Sequence, residues 1–429
     1  MENEKNTAPF GSDIKRLPFK ELFKRIGPGL IATGIVIGPG AVTTSAMIGS
    51  NYGYSLIWLI IPVIVMGITF MMTTNRLAIL TGMPTLHAIR KYYGPAASGF
   101  VGIALFLACF FFTMGNVSGT GAGMKLVFPF MNWKIGAIIM VGVVLYCYFA
   151  KNVYSKVEKL ITLCIIVMIL SFYITLIGVG GPDRGGLGRG LVSFAVPKGS
   201  LATALAFIST NAAVTSGIYA TYLGKEKKWQ KEDLFNGVMF TDALVHVVSV
   251  VLISGAIILV GAVVLHPQGL TIKAPAQLAQ MLVPIMGNVA GYIMGLALLG
   301  AGFSSLLANT QRGMVLLGAG INRQDVGLES KFIKYGCLIV ILAATGIAFS
   351  YNGSPTRLIL MANVATSIAT PVGGLFILLL LWRKDLNEGY KKPTILRIAM
   401  TISYIFVLFM TISALSGSIP KLIASLGFK

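Results

Sequence analysis

The sequence predicts an all-α protein that crosses a membrane many times, and two observations carry this prediction. About 55% of its 429 residues are hydrophobic and only 11% are charged, with a mean hydropathy of +0.82. Soluble domains usually carry about 25% charged residues. Apolar runs long enough to cross roughly 30 Å of hydrocarbon also recur along the chain. This composition excludes a secreted disulfide-built domain and a disordered chain.

Eleven apolar spans are predicted, and they are numbered 1 to 11 in chain order. Short connections rich in Gly, Pro and Lys separate them. The spans cover residues 26–49, 54–74, 98–128, 135–150, 157–180, 199–223, 237–265, 287–320, 332–350, 356–382 and 395–418. Several exceed the ~20 residues that a membrane crossing needs, which indicates tilted, broken or protruding helices.

The formal charge of +20 is interpreted as a topology signal. With the N-terminus in the cytoplasm, 25 of the 34 Lys and Arg residues fall in cytoplasmic segments and nine in outer segments. Such a bias is typical of cytoplasmic loops. We therefore expect an integral protein of the plasma membrane with a cytoplasmic N-terminus, an external C-terminus, the lipid bilayer as its surroundings and no nucleic-acid partner.

Two spans are interrupted within their apolar runs. Span 1 contains Gly38-Pro39-Gly40-Ala41, where proline removes a backbone donor and the glycines weaken the helix. Span 6 contains a polar cluster at Ser209-Thr210-Asn211, and Ala-Val-Thr follows each interruption, at 41–43 and 213–215. Breaks at matching positions in two halves are typical of an inverted-repeat transporter with a binding site near the bilayer midplane.

The matched breaks also predict a domain organisation. A cytoplasmic tail covers residues 1–25, a first five-helix repeat residues 26–180, a second, inverted repeat residues 199–382, and an eleventh helix residues 395–418. Gly/Pro kinks are common in ordinary membrane helices, so the pairing of two breaks carries this interpretation more than either break alone.

Further segments follow the pattern of a known family. They are Gly27–Leu30, Gly38–Gly40, Asn51–Tyr54, Asn75–Gly82, Tyr92–Gly94, Ala301–Ser305, Asn363 and Pro371. With these segments the chain resembles the Nramp divalent-metal transporters over residues 20–418. The resemblance implies the LeuT-type fold, in which a 5+5 inverted repeat is followed here by one extra helix, with broken helices 1 and 6.

The metal site that the resemblance implies is not intact. The family's Asp-Pro-Gly-Asn motif falls on Gly38–Ala41, so both ligating side chains are missing. Its Met-Pro-His motif falls on Ser209–Asn211, which removes the sulfur and the imidazole. The span 3 acids of its proton path fall near Thr113 and Asn116, which are neutral. No metal-ligating residue and no cofactor are therefore predicted.

The two broken segments are the predicted substrate site. Helices that begin at the breaks direct N–H groups and positive dipole ends to the midplane, which favours an anion. The candidate binding residues are Gly38, Pro39, Gly40, Ala41, Thr43, Thr44, Ser209, Thr210, Asn211, Thr215, Ser216 and Asn363. Hydroxyl groups in membrane helices also bond their own backbone or a neighbouring helix, and this alternative holds for each Ser and Thr in the set.

Four further residues are candidates for gating or coupling. Asp242 and His246 are four residues apart on span 7 and could pair or relay a proton, or Asp242 could cap the cytoplasmic entrance of its span. Arg312 could draw anions through the inner vestibule or could extend to the membrane surface. Asn116 is a neutral residue at the proton-path position that the resemblance implies.

The sequence favours a secondary-active or facilitative transporter that works by alternating access. A small anion, such as bicarbonate or a small carboxylate, or a neutral polar solute is the first substrate hypothesis. The alternative is a divalent cation, with magnesium preferred over manganese or iron because Mg²⁺ keeps several of its waters. A non-transporting receptor is a third hypothesis. No arrangement of catalytic residues indicates an enzyme, and no ATP-binding domain indicates ATP-driven transport. Coupling to sodium, coupling to protons and uncoupled transport all stay open.

Overall fold

The computed structural model describes residues 9–27, 29, 32–33, 36–149, 151–227, 229–323, 325–327 and 330–425. Within these ranges, the side chains of 151–162, 224–227, 414 and 417–425 are not described. Pro28 and Leu30, which belong to the motif at the start of span 1, lie outside the described residues.

Helices make up most of the described chain. The spans correspond to Pro39–Tyr52 (second half of span 1), Ile60–Thr81, Thr85–Val127, Trp133–Phe149, Lys151–Gly178, Leu201–Asn211 with Val214–Lys227 (span 6), Val238–Val260, Ala290–Gly320, Lys331–Ser350, Pro355–Thr366 with Ala369–Trp382 (span 10), and Thr394–Ser425. Shorter helices are Phe19–Arg25, Arg184–Ser193, Pro275–Gln280 and Val283–Met286. In the first half of span 1, residues 29, 32, 33 and 36 are helical.

Among the described residues, eight helices are long and apolar enough to cross a membrane. Two shorter apolar helices, Trp133–Phe149 and Leu163–Gly178, together with the broken span 1, complete a set that agrees with the eleven predicted spans. The main difference in bounds is in span 3, whose helix begins at Thr85 and is bent at Gly94, just before Pro95.

Spans 3 and 8 form the centre of the structure and pack against each other along much of their length. Small residues allow this close approach: a Cβ built on Gly102 would lie 2.7 Å from the Cα of Gly320, and one on Gly123 would lie 2.9 Å from the carbonyl oxygen of Gly295. Such small-residue contacts are typical of packed membrane helices. Spans 1, 6 and 10 pack against this centre, and span 7 packs against spans 1, 2 and 5.

Span 10 is also interrupted, at Ser367–Ile368, and the sequence analysis did not predict this break. The hydroxyls of Thr366 and Ser367 donate to the carbonyl oxygens of Asn363 and Val364, 2.7 Å and 2.6 Å away, and so compete with the helical N–H groups. Pro371 has no N–H to donate to the carbonyl of Ser367, four residues earlier.

The tight contact between spans 1 and 7 gives a stability prediction. A Cβ on Gly49 would overlap the carbonyl oxygen of Ile258, which is backbone and has no rotamer to change. We expect Gly49→Ala to lower the free energy of unfolding by about 1–3 kcal/mol, measured as a lower melting temperature in detergent. Gly142→Ala is the control, because open space surrounds that mid-helix position. An equal loss in both variants would contradict the prediction.

Candidate functional site

The break in span 1 places the start of a helix inside the protein. Gly38 is extended (φ −115°, ψ 179°), and Pro39 is the first residue of the helix Pro39–Tyr52, where a missing N–H breaks no intrahelical bond. Residues 38–41 are all buried. The Thr44 hydroxyl donates to the carbonyl of Gly40 at 2.8 Å, so it is occupied by its own helix. The buried Thr43 hydroxyl has no hydrogen-bond partner.

The break in span 6 follows from side chains that bond the end of the helix Leu201–Asn211. Thr210 Oγ1 donates to the carbonyl of Ala206 at 2.6 Å, and Asn211 Nδ2 donates to that of Phe207 at 2.8 Å. Both are bonds back to carbonyls four residues earlier that the helical N–H groups also use, so these side chains compete with the backbone at the end of this helix. Asn211 Oδ1 accepts from Ser254 of span 7 at 2.7 Å, so both ends of this amide are engaged within the protein.

Two buried carboxamides flank the break in span 1. Asn116 of span 3 and Asn363 of span 10 are both 0% exposed, and none of their side-chain nitrogen and oxygen atoms has a hydrogen-bond partner. A Cβ built on Gly38 would lie 3.0 Å from Asn116 Oδ1 and 2.5 Å from Ser305 Oγ. One built on Gly40 would lie 2.8 Å from Asn363 Oδ1. The two glycines thus bring polar side chains of three spans against the broken backbone.

A small cavity of about 20 Å³ lies between spans 1, 3, 6, 8 and 10. Its polar lining contains Ser209, Thr210, Thr215, Arg312, Thr366 and Thr370, and Val36, Ala108, Phe112 and Ala213 complete the wall. No acidic residue is among these lining residues. The volume holds about one water-sized molecule, so the protein is in a closed conformation around this point.

The cationic group at this cavity is Arg312 of span 8, which is 4% exposed. Nη1 donates to Ser216 Oγ at 3.0 Å, Nη2 donates to Asn309 Oδ1, and the buried Nε has no hydrogen-bond partner. Asn309 Nδ2 in turn donates to the carbonyl of Cys109 at 2.7 Å. Extension of Arg312 to the membrane surface, one of the two sequence interpretations, is therefore wrong, because its bonds hold it inside.

Asp242 and His246 both bind the first half of span 1. Asp242 Oδ1 accepts from the N–H groups of Gly27 and Gly29 at 2.8 Å and 3.1 Å. His246 Nδ1 lies 2.8 Å from Thr33 Oγ1. Asp242 thus bonds the start of span 1, and the helix of span 7 begins after Gly237, so the capping of span 7, one of the two sequence interpretations, is wrong. The pair joins span 7 to the half of span 1 that precedes the break.

Among the described residues, no group of three or more His, Cys, Asp and Glu side chains is placed to hold a metal ion. Neutral oxygens surround the break: amides, hydroxyls and backbone carbonyls. Any cation at this site would be held by hard neutral donors, and any anion would lie near Arg312.

A comparison with protein families identifies the family of this chain. The model of natural resistance-associated macrophage protein-like (Nramp) proteins matches residues 29–416. The chain belongs to the Nramp family. The resemblance seen in the sequence is thereby confirmed, and the protein is a membrane transporter of this family.

Individual sequence relatives agree with this family assignment. Proteins named divalent metal cation transporter MntH from Mesorhizobium japonicum and from Caldanaerobacter subterraneus subsp. tengcongensis are each 24% identical. The first match covers 82% of this chain and 80% of the relative, and the second covers 92% and 93%.

Solved structures show the same fold. A mutant of the Eremococcus coleocola manganese transporter is similar with a TM-score of 0.73 and 18% identity, covering 96% of this chain and 92% of that one. MhsT in complex with L-phenylalanine is similar with a TM-score of 0.58 and 15% identity, covering 92% and 99%. The predicted fold class, an all-helical LeuT-type transporter, is confirmed.

The structure adds residues that the sequence analysis did not select. Ser305 contacts the break, and the sequence identifies it only as part of the family segment Ala301–Ser305. Thr366 and Thr370 of span 10 line the cavity with Ser209 and Thr210. A helical spacing of three and four residues places Asn363, Thr366 and Thr370 on one face of span 10, and this polar face in an apolar span was the available signal.

The unpartnered amides give a stability prediction. Asn116→Ala and Asn363→Ala should leave the melting temperature nearly unchanged, because a buried amide without partners contributes little to folding. Asn309→Ala is the matched comparison, since it strips partners from Arg312 and from a backbone carbonyl. We expect a loss of about 1–3 kcal/mol there. Equal destabilisation of all three variants would show that Asn116 and Asn363 are structural.

The bond between Asp242 and span 1 gives a second prediction. Asp242→Asn removes the negative charge from two hydrogen bonds, each worth about 1.5–3 kcal/mol when charge-assisted. The first half of span 1 should then move away more often and expose the cavity. Maleimide labelling of a Val36→Cys reporter should become faster, since Val36 is 2% exposed and lines the cavity. Asp385→Asn, in an exposed ion pair with Arg383, is the control and should not change labelling.

Proposed function

We propose that this Nramp-family transporter carries a hard divalent cation by alternating access, with Mg²⁺ fitting the site better than Mn²⁺ or Fe²⁺. The observation that carries the proposal is the pair of buried, unpartnered amides of Asn116 and Asn363 beside the break at Gly38–Gly40. Family membership supports a metal ion as the class of substrate, as does the printed name of the sequence relatives. The sequence alone favours a small anion over a divalent cation, and these findings reverse that preference.

The donor set supports the choice of ion. Amide, hydroxyl and carbonyl oxygens are hard ligands, which suit Mg²⁺ and Ca²⁺, while imidazole and sulfur select transition metals. Mg²⁺ usually keeps several waters and needs few direct protein ligands. A site without carboxylates binds such an ion weakly, which suits transport at millimolar concentrations better than capture of a trace metal.

Several finer features belong to the same proposal. The broken segments of spans 1 and 6 bind the substrate through groups that their own helices leave free, and the two five-helix repeats, residues 26–180 and 199–382, move against each other. The charge distribution supports a cytoplasmic N-terminus and an external C-terminus in the plasma membrane. Three transport modes fit the proposal, namely sodium coupling, proton coupling and uniport. A neutral Asn116 favours a mode other than the family's usual proton path.

The decisive experiment measures flux in proteoliposomes loaded with a magnesium-sensitive dye. We expect external Mg²⁺ to enter, and Asn116→Ala and Asn363→Ala to reduce entry about tenfold or more, a loss comparable to that of one bond to a charged ligand. Both variants should keep the parent melting temperature. Gly142→Ala serves as a transport-neutral control. Absence of any divalent-cation flux, or full flux in both asparagine variants, would contradict the proposal.

A small anion is a second candidate function, and Arg312 favours it. Its guanidinium lines the cavity with a buried Nε that lacks a partner, and positive charge there opposes a cation. The same proteoliposomes with an internal pH dye would report bicarbonate entry. Bicarbonate flux that survives in Arg312→Lys and disappears in Arg312→Gln, with Mg²⁺ inert, would establish the anion and reject the cation.

A further inference from the structure

A second cavity, of about 560 Å³, lies between spans 2, 7 and 11, on the side of the protein where the N-terminal tail packs. Its walls include Met72, Arg76, Phe240, Lys391, Lys392 and Ile395. The tail is close by, since the Lys391 N–H donates to the carbonyl of Phe10 at 3.0 Å. The cavity is separate from the small cavity at the transport site, since the two share no lining residue.

One end of this cavity is basic. Arg76 is 5% exposed, its Nη2 donates to Asn387 Oδ1 at 3.1 Å, and its buried Nε has no hydrogen-bond partner. A buried donor without a partner is unfavourable unless a ligand supplies an acceptor. Lys391 and Lys392 are exposed beside it, and no acidic residue is among the described residues that line the cavity.

The backbone adds to this positive end. The helix Thr394–Ser425 begins at the cavity, and Thr394, Ile395 and Leu396 of its first turn are part of the wall. The first N–H groups of a helix have no intrahelical acceptor, and the dipole there favours negative charge. Three cationic side chains and the start of a long helix therefore line the same cavity, and this combination suits the binding of a phosphate group.

Most of the remaining cavity lining is apolar. Ile68, Met72 and Leu396 belong to it, and Ile395 and Phe240 are 86% and 39% exposed. Exposed apolar side chains next to a basic end match a ligand that has both a charged head and a hydrocarbon tail. Free phosphate would satisfy only the basic end.

We propose that this cavity binds an anionic phospholipid from the leaflet on the side of the N-terminal tail. Its phosphate is held by Arg76, Lys391, Lys392 and the start of span 11, and one acyl chain covers Met72, Phe240 and Ile395. Basic pockets between helices at the cytoplasmic membrane surface bind anionic headgroups in this way. The predicted topology places this leaflet in the cytoplasmic half of the membrane.

The test is lipid titration of the purified, delipidated full-length protein by native mass spectrometry, with the melting temperature as a second readout. The probes are phosphatidylglycerol, phosphatidylcholine and inorganic phosphate. We expect phosphatidylglycerol to bind more tightly than phosphatidylcholine. Lys391→Gln with Lys392→Gln should weaken it by about fivefold per lysine removed. Both lysines are exposed, so this double variant should fold normally. Arg76 is not substituted, because it also donates a hydrogen bond to Asn387.

Lys91→Gln with Lys384→Gln is the charge-matched control, because both lysines are exposed, are predicted to lie on the same side and do not line the cavity. It should keep the parent affinity for phosphatidylglycerol. Equal binding of the two lipids, or an equal loss in both double variants, would overturn the proposal. Stabilisation by inorganic phosphate without any effect of phosphatidylglycerol would also overturn it, in favour of a soluble anion.

Discussion

The structure depends on how backbone groups are satisfied where a helix is interrupted inside a membrane. A bilayer core supplies no water, so an interruption is tolerated only where the protein provides partners or lines a cavity. In span 6, the side chains of Thr210 and Asn211 bond carbonyls four residues earlier and compete with the helical N–H groups where the first half-helix ends. In span 1, Pro39 removes one N–H that would need a partner. The break in span 1 therefore leaves one fewer backbone donor for the protein to satisfy.

This arrangement explains how the site persists without charged ligands. A carboxylate at position 38 would need space that Ser305 and Asn116 now fill, since even a Cβ there would lie 2.5 Å from Ser305 Oγ. Neutral side chains from spans 3, 8 and 10 have taken the volume next to the broken backbone. The site is thus a repacked neutral pocket and differs from a metal site with two ligands simply removed.

The sequence predicted the fold well because its signals are local and strong. Apolar runs, the Gly-Pro-Gly break and the basic loops each follow from membrane physics that acts on a single segment. The span 10 break was missed because it depends on hydroxyl groups returning to carbonyls at Asn363 and Val364, which composition does not reveal. The sequence left two positions open for Arg312, and the interior one depends on its bond to Ser216, which is 96 residues away in sequence.

The residue types around the break were predictable, but their roles were not. Of the predicted hydroxyls, that of Thr44 bonds its own helix, whereas Ser209 donates to the carbonyl of Asn363 at 2.9 Å across to span 10. Only packing distinguishes such cases. The same limit applies to Asp242, whose neighbours along span 7 suggested a pair with His246. Its carboxylate also accepts from backbone N–H groups of span 1, more than 200 residues earlier.

The start of span 7 joins the two regions of interest. Met239 and Phe240 line the basic and apolar cavity, and Asp242, within one helical turn of them, holds the N-terminal half of span 1. A ligand that fixes the first turn of span 7 would also fix the acceptor that span 1 needs in the closed conformation. Since a ligand shifts an equilibrium only by its difference in affinity for the two states, a lipid in this cavity would favour whichever conformation keeps spans 2, 7 and 11 together.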